Sequence, residues 1–341
     1  MISVVIPIYN GERFLRLCLD SILSQSLREL EVLCVNDGSK DSTQTILEEY
    51  AAKDPRVQII RQKNQGVAAA RNNGMDRAKG EYLWFFDGDD VMQPGAAEAM
   101  LRRAEETGAD FVVGNFQYYH QSCGLIQTPS GRVTERVWTG EDRLKITHYA
   151  ALCGCKLWRT AFLREHDLRF WPFRLGEDVA FYLCAAASST TIASLDRNIY
   201  YYRMYDGSSC RSYSMKTLER IELFDWLENF YRKHPEMENF RKEMMLDRMF
   251  HYNLALARLP SHVGKQERRQ IVDAYIKAEK RLDFSEVQNR ADIMEQVKRF
   301  DHYVKFRWLY ESNLYAVLYR AGRRVKHLLK KLCYANRKIE L

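Results

Sequence analysis

The sequence lacks the features that mark several large classes of protein. Its 8 cysteines include no Cys-x-x-Cys pair, and Cys153-Gly-Cys155 is too short and lacks a partner pair for a zinc site. No Gly-x-Gly-x-x-Gly or Gly-Lys-Ser/Thr motif follows a strand-like segment, which argues against a dinucleotide oxidoreductase and a P-loop enzyme. No apolar run approaches the ~20 residues of a membrane-spanning helix. Because most cysteines sit in apolar runs, as buried thiols do, we expect a reducing, cytoplasmic compartment.

Internal repeats and low-complexity segments are also missing, and the chain has only 7 prolines. With 341 residues, of which 46% are hydrophobic, it exceeds the usual size of a single core. Met1 leads directly into a strand-like segment, so we expect no signal peptide. The composition therefore predicts one large domain and an appendage.

Strand-like and helix-like segments alternate in the first part of the chain. The β-branched runs Ser3–Tyr9 and Leu30–Asn36 are each followed by a helix-like stretch, and the alternation continues to a strand that ends at Asp87. This pattern predicts an α/β fold with a mainly parallel sheet flanked by helices. Ligands of such sheets bind beyond the carboxyl ends of the strands. Asp37 follows the second strand, so we expect it to share one crevice with Asp87.

Three carboxylates around one glycine follow the apolar run Trp84–Phe86. Asp87, Asp89 and Asp90 repel one another away from bulk water, so a cation is needed to keep them ionised together. Mg²⁺ or Mn²⁺ suits such oxygen ligands, and typically takes one or two carboxylates plus the phosphates of a substrate. We expect Gly88 to turn the chain so that Asp87 and Asp89 face one point. A charged turn after a strand is the alternative, but three acids favour a metal and diphosphate site.

Several spaced motifs resemble those of the family 2 glycosyltransferases of GT-A fold. They are Ser3–Asn10, Val35–Ser39 with Asp41, Asn64–Gly66 with Ala70–Asn72, and Lys79–Leu83 with Asp87-Gly-Asp89. The match covers residues 1 to 210, approximately. The resemblance implies inverting transfer of a sugar from a nucleotide-sugar, with a UDP-sugar favoured, to a hydroxyl of a glycan or lipid-linked saccharide in cell-surface polysaccharide synthesis.

The resemblance also implies a role for each acid or pocket residue near the strand ends. The assignments are Pro7, Tyr9 and Asp37 for the donor's base, Asp87 for the region of the ribose, and Asp89 with Asp87 and Asp90 for the metal. Each has a simpler alternative: Tyr9 packs against its neighbours, and Asp37 stabilises its own turn.

A second acidic pair, Glu177-Asp178, opens a helix-like stretch that runs through Ala187. Acids in a first helical turn are often only partners of the helix dipole. The pair resembles the family's Glu-Asp motif, in which one carboxylate accepts the proton of the attacking hydroxyl, as this chemistry requires. We assign Asp178 as the catalytic base and Glu177 as the neighbour that orients the acceptor or the base.

Two further segments resemble family motifs. Cys155–Arg159 resembles an Asn-Lys-Leu-Tyr-Arg segment in which Trp158 serves either as an apolar platform for a sugar or as part of the core. Tyr200–Tyr205 and the residues after it resemble a strand and a mobile loop that close over the donor. We assign Arg203 as a second diphosphate contact because guanidinium presents a planar fork to phosphate oxygens.

A change of pattern near residues 210–215 marks the domain boundary. We predict a GT-A catalytic domain over residues 1–212, with a nucleotide-sugar half at 1–114 and an acceptor half at 115–212, and a helical region over 213–341. The predicted helices of this region are 215–233, 237–259, 265–280, 284–299 and 302–333.

Charge is divided between the two parts. Residues 1–209 hold 24 Lys and Arg against 27 Asp and Glu, whereas residues 210–341 hold 28 against 18. The basic excess concentrates in the amphipathic tail Tyr319–Leu341, which we expect to lie on an anionic membrane surface, so that the enzyme is peripheral to the inner face of the cell membrane. The alternative is a solvated helix face that packs on the catalytic domain or forms a homodimer.

Two other classes of function compete with an enzyme. A basic stripe with tyrosines also suits nucleic acid, but no nucleic-acid motif is present and the catalytic half is slightly acidic. A nucleotide-sugar-binding scaffold without turnover is the second rival, and the intact acidic motifs weigh against it. We therefore expect a metal-dependent transferase whose partners are a nucleotide-sugar, a saccharide acceptor and a membrane, with no nucleic acid.

Overall fold

The computed structural model describes residues 1–205, 215–257 and 265–305, and the chain forms two compact units. The first consists of Met1–Ser122 and Ile126–Met204. The second consists of Cys123–Leu125 and the described residues from Tyr205 onward.

The first unit is built around one ten-stranded sheet. Its strands are β1 (Ile2–Ile8), β2 (Leu30–Asn36), β3 (Val57–Arg61), β4 (Tyr82–Phe85), β5 (Val91–Met92), β6 (Phe111–His120), β7 (Leu125–Gln127), β8 (Arg136–Thr139), β9 (Lys156–Arg159) and β10 (Thr191–Met204). The order is β3-β2-β1-β4-β9-β6-β10-β5, with β7 on β6 and β8 on β10.

Helices cover the sheet, and most strands run parallel to a neighbour. The helices of this unit are α1 (Leu15–Leu23), α2 (Thr43–Lys53), α3 (Val67–Arg77), α4 (Ala96–Thr107), α5 (Thr160–Glu165) and α6 (Glu177–Ser188). Strands β1 to β4 form a parallel group, β6 pairs in parallel with β10, and β9, β5 and β8 add antiparallel pairs. The α/β fold predicted from the sequence is therefore confirmed.

Different helices pack against the two faces of β1. Ile6 belongs to the core cluster that contains Leu19 of α1, and both side chains are fully buried. On the opposite face α3 approaches the sheet closely, because a Cβ atom added at Gly74 would lie 2.3 Å from Cγ1 of Val5. Glycine at this position brings α3, which carries several residues of the site described below, against the strands.

Within its described residues, the second unit is helical apart from its short segment near residue 124. Its α-helices are α7 (Glu219–Arg232), α8 (Glu238–Ala257), α9 (Lys265–Glu279) and α10 (Ala291–Lys305). The break predicted between residues 299 and 302 is wrong, because α10 runs through it. The basic tail Tyr319–Leu341 lies outside the described residues.

None of the helices in the described residues combines the length and the apolar character that crossing a membrane would require.

Candidate active site

The acidic run after β4 forms a tight turn. The N–H of Asp90 donates to the carbonyl of Asp87 at 3.1 Å. Gly88 does not adopt a positive φ, so the turn does not use the conformational freedom that we expected glycine to supply. The side chain of Asp87 is 34% exposed. Asp89 is also partly exposed, whereas Asp90 is only 3% exposed. Two of the three carboxylates therefore remain accessible at the strand end.

Asp90 has a different environment from the other two acids. Its Oδ1 accepts a hydrogen bond from the main-chain N–H of Arg203 on β10 at 2.8 Å. Burial raises its pKa well above the ordinary value, and the nearby charges of Asp89 and Asp87 add to the rise. The structure shows that Asp90 ties the acidic turn to β10. Its predicted contact with a metal stays a prediction.

Arg203 lies under the acidic turn. Its Nε donates to the carbonyl oxygen of Asp89 at 2.7 Å, and Nη1 contacts Gln121 Oε1. The guanidinium lies 4.7 Å from the ring centre of Phe14 and 5.3 Å from that of Tyr119. Arg203 is 3% exposed, and its Nη2 has no hydrogen-bond partner among the residues that the structure describes. Arg203 therefore fixes the main chain at Asp89. Its contact with a diphosphate stays a prediction.

Asp37 uses both carboxylate oxygens inside the protein. Oδ1 accepts from Gln62 Nε2 and from the N–H of Gln65, both at 2.8 Å, and Oδ2 accepts from the N–H of Gly66 at 2.9 Å. Gly66 is the residue that precedes α3. Asp37 thus holds the loop that starts α3, a role that the sequence did not predict. Its contact with the donor's base stays a prediction.

Pro7 and Tyr9 lie at the carboxyl end of β1. Pro7 is partly buried and pairs with Val35 of β2, and Tyr9 is 50% exposed. The exposed ring of Tyr9 makes it available to a ligand at the edge of the sheet. Both roles in the base pocket stay predictions.

The second acidic pair stands at the start of α6. Gly176 precedes the helix with φ 92°, a left-handed conformation that favours glycine. The side chain of Glu177 is 12% exposed, and Oδ1 of Asp178 accepts from the N–H of Val179 at 2.8 Å. Burial raises the pKa of Glu177 to about 7, and the neighbouring Asp178 adds to the rise. Burial also raises the pKa of Asp178, against the opposing effect of Arg71. Raised pKa values of this kind suit proton transfer near neutral pH.

Arg71 joins the two acidic groups. From its place on α3, Nη2 donates to Asp87 Oδ1 at 2.7 Å and Nη1 donates to Glu177 Oε1 at 2.9 Å. The guanidinium lies 5.1 Å from the ring centre of Phe170. Sequence reasoning used Arg71 only as part of the family resemblance and gave it no role. Its contacts span 16 and 106 residues, so no local pattern reports them.

The next residues of α3 hold the chain that leads to α6. The side-chain amide of Asn72 pairs with the main chain of Phe170, donating to its oxygen at 2.8 Å and accepting from its N–H at 2.9 Å. The ring of Phe170 stacks on Phe181 of α6 at 4.0 Å between centres. Asn73 donates to Gln62 Oε1 at 2.6 Å. Helix α3 therefore organises both acidic groups and the loop held by Asp37.

The Cys155–Arg159 segment contributes to the core. Trp158 is 1% exposed and packs 4.6 Å from Phe111 and 5.1 Å from Phe181, between ring centres. Of its two predicted roles, the structure shows the core role. Lys156 is fully buried, and its ammonium donates to the carbonyls of Ala150 at 2.6 Å and Leu152 at 3.0 Å. The loop after β10, residues 206–209, lies outside the described residues.

The residues at the acidic turn fit a divalent cation that shares its coordination with a substrate. Within the described part of the chain, no three His, Cys, Asp or Glu residues are grouped as a complete metal site. Mg²⁺ and Mn²⁺ need only one or two carboxylates when phosphate oxygens complete the shell. Asp87 and Asp89 are both partly exposed and would supply such carboxylate oxygens, while Nη2 of Arg203, which has no partner within the described ranges, is a hydrogen-bond donor suited to phosphate.

The fold and the site together define a glycosyltransferase of GT-A fold: a mainly parallel sheet, acids beyond its strand ends, and a second acidic pair facing them. The chain superposes on the crystal structure of residues 1–349 of S. aureus TarS in complex with UDP-GlcNAc with a TM-score of 0.60. The sequences are 20% identical, over 89% of this chain and 91% of that one, so the likeness concerns the fold.

Sequence comparison identifies the family. Residues 3–164 match the model of glycosyl transferase family 2. EpsH of Bacillus subtilis is 32% identical over 252 residues, which are 71% of this chain and 72% of EpsH. Glycosyltransferase GlyA of Streptococcus pneumoniae is 30% identical over 228 residues, which are 64% of this chain but only 33% of GlyA. The chain belongs to the family 2 glycosyltransferases.

Proposed function

We propose that the protein is a metal-dependent, inverting glycosyltransferase that moves a sugar from a UDP-sugar to a hydroxyl of a glycan or lipid-linked saccharide. One observation carries this proposal. The guanidinium of Arg71 binds both Asp87, which follows β4, and Glu177, which begins α6, at 2.7 and 2.9 Å. A donor diphosphate at the first group and an acceptor hydroxyl at the second would therefore be neighbours.

Asp178 is the base in this proposal. As the acceptor oxygen attacks the anomeric carbon from the face opposite the diphosphate, its proton passes to the carboxylate of Asp178, and the bond to the diphosphate breaks with the electron pair leaving on the diphosphate. The raised pKa of Asp178 makes it a stronger base than an exposed aspartate. Glu177, held by Arg71, orients the acceptor or the base beside it.

The donor side uses the carboxylates of the turn. Asp89 and Asp87 would hold Mn²⁺ or Mg²⁺, which supplies positive charge against the departing diphosphate. The buried Asp90 and Arg203 position this turn through main-chain contacts. The nucleobase of the donor would bind on the side of the crevice that contains Pro7, Tyr9 and Asp37. These assignments extend over residues 1–212, which we propose as the catalytic domain.

The choice of donor is supported by two structures of TarS residues 1–349, one in complex with UDP-GlcNAc and one in complex with UDP. We expect a UDP-sugar with Mn²⁺ to raise the melting temperature of the intact chain, since a ligand at 100 times its Kd stabilises by about 2.7 kcal/mol. The measurement is a thermal-shift panel of UDP-GlcNAc, UDP-glucose, UDP-galactose, GDP-mannose and dTDP-rhamnose, each with Mn²⁺ and with EDTA. A shift given by the GDP- or dTDP-sugar but by no UDP-sugar would contradict the UDP assignment.

A lipid-linked acceptor would place the enzyme at the cytoplasmic face of a membrane. The sequence of Tyr319–Leu341 supports this with eight Lys or Arg against one acid. We expect the intact chain to pellet with vesicles rich in anionic phosphatidylglycerol, but not with neutral phosphatidylcholine, and high salt to reduce the pelleting. The matched control is a chain that ends before Tyr319, which should stay in the supernatant and still bind donor. If both chains pellet with anionic vesicles to the same extent, the membrane role of the tail is wrong, and the tail is a packing or dimerisation segment.

A further inference from the structure

We infer that Arg71 is a positioning residue that sets the geometry of both halves of the active site at once, holding Asp87 for the donor and Glu177 for the acceptor. This inference rests on the site roles proposed above. It concerns a residue that would touch neither the donor nor the acceptor, and that acts through two carboxylates on separate elements.

The side chain of Arg71 is buried, and both of its terminal nitrogens are paired with carboxylates. The side chain is 5% exposed, and its two terminal nitrogens each engage one carboxylate, at 2.7 and 2.9 Å. Because guanidinium is planar and rigid, two bonds from one fork fix the separation and orientation of the carboxylates relative to each other. A lysine ammonium at this place is a single point and would satisfy one of the two acids at a time.

The charges around Arg71 explain why a cation is needed there. Asp87 and the pair Glu177-Asp178 bring negative charge to a buried region, and Arg71 lies between them with its face over Phe170. Lys156 is the other buried cation whose charge acts on Asp178. Its ammonium is occupied by the carbonyls of Ala150 and Leu152. Within the described residues, Arg71 is thus the cation that the structure records in contact with both acidic groups.

The test is a pair of double-mutant cycles in the full chain. Arg71→Lys is combined with Glu177→Gln and, separately, with Asp87→Asn, and each protein is measured for kcat and for donor Kd. The donor in the assay is the nucleotide-sugar from the thermal-shift panel that the unmodified chain turns over. An error in the UDP assignment therefore changes only which donor is used. An error in the choice of base is seen in a separate variant, Asp178→Asn.

We expect Arg71→Lys alone to lower kcat and to weaken donor binding, each by roughly 10- to 100-fold, as loss of a supporting partner commonly does. In the Glu177→Gln background the loss in kcat should shrink to less than about threefold while the loss in donor affinity remains. In the Asp87→Asn background the loss in donor affinity should shrink and the loss in kcat remain. A general effect on folding would lower kcat and donor affinity by the same factors in every background.

Arg169 supplies the matched control. It also pairs with an acid of α3, Asp76, but its side chain is 38% exposed and it contacts neither site carboxylate. Arg169→Met should leave kcat and donor Kd unchanged within about threefold. Full activity of Arg71→Lys, or equal losses in all three backgrounds, would overturn the inference. Arg71→Met is a harsher variant that risks unfolding because it leaves Glu177 and Asp87 without their cation, and the lysine variant therefore decides the question.

Discussion

Asp89→Ala is expected to abolish sugar transfer and Mn²⁺-dependent donor binding while leaving the fold intact. Asp89 is partly exposed in the turn after β4, and its main-chain carbonyl accepts a hydrogen bond from Arg203 Nε at 2.7 Å. Alanine keeps that carbonyl and removes only the carboxylate. Losing a direct ligand should reduce metal affinity by more than the roughly 10- to 100-fold typical of a supporting residue.

The measurements are transfer with the preferred nucleotide-sugar, donor binding by calorimetry with Mn²⁺ or EDTA, and unfolding in urea. Glu106→Ala is the matched control, since it removes an exposed carboxylate of α4 that is 3.8 Å from Arg102. Both variants should unfold within about 0.5 kcal/mol of the parent chain. Unchanged transfer by the parent in excess EDTA would remove the metal from the mechanism.

Asp90 gives the contrasting result at the same turn. Asp90→Ala removes the acceptor of the buried N–H of Arg203, and an unpaired buried donor costs about 1–3 kcal/mol. Destabilisation by Asp90→Ala but not by Asp89→Ala would separate the residue that positions the turn from the residue that binds the metal. Equal stability of the two variants would contradict this division.

Part of the first unit was predictable because the signals of its strands and helices are local. Strand β2 has the bounds expected from its β-branched run, β1 is shifted from its expected run by one residue at each end, and α6 begins at Glu177 as expected. The two-residue repeat of a strand and the 3.6-residue repeat of a helix act over a few neighbours, so a short stretch contains the whole signal. The break expected near residue 300 is wrong, because α10 continues as one helix from Ala291 to Lys305.

The chemistry of the site was only partly predictable. Asp87 and Glu177 could be predicted from the sequence. Asp87 begins an acidic cluster directly after an apolar run, and Glu177 begins an acidic pair at the start of a helix-like stretch. Arg71 could not be predicted in this way, because an arginine within a helix is ordinarily a solvent-exposed residue, and only the fold brings α3 between the two acids. Its position inside the Ala70–Asn72 motif was the one available signal.

Burial decides the cases where the sequence left two roles open. An aromatic residue such as Trp158 contributes to a core or to a sugar platform with the same local pattern. Its neighbours Phe111 and Phe181 come from β6 and α6, and their contacts show the core role. For Asp37 the position at a strand end predicted a role in the pocket of the donor's base, which stays a prediction, and the contacts with Gln65 and Gly66 show that the carboxylate holds the start of α3.

Asp178→Asn is expected to separate catalysis from binding. The amide keeps the size of the carboxylate, and its oxygen is still able to accept from the N–H of Val179, a contact of 2.8 Å in the parent chain. It has no basic site for the proton of the acceptor. We therefore expect donor affinity to persist while turnover falls by a factor on the order of 100 to 10,000.

Glu177→Gln is the control beside it, because it changes the adjacent acid by the same isosteric substitution. Turnover is measured at saturating donor and acceptor, and donor Kd is measured with Mn²⁺ for both variants. If Asp178→Asn loses donor binding, the residue belongs to the nucleotide site. If Glu177→Gln shows the larger loss of turnover, the two roles are reversed. The second result would place the base on the carboxylate that Arg71 holds, at 2.9 Å, and the orienting role on the carboxylate bonded to Val179.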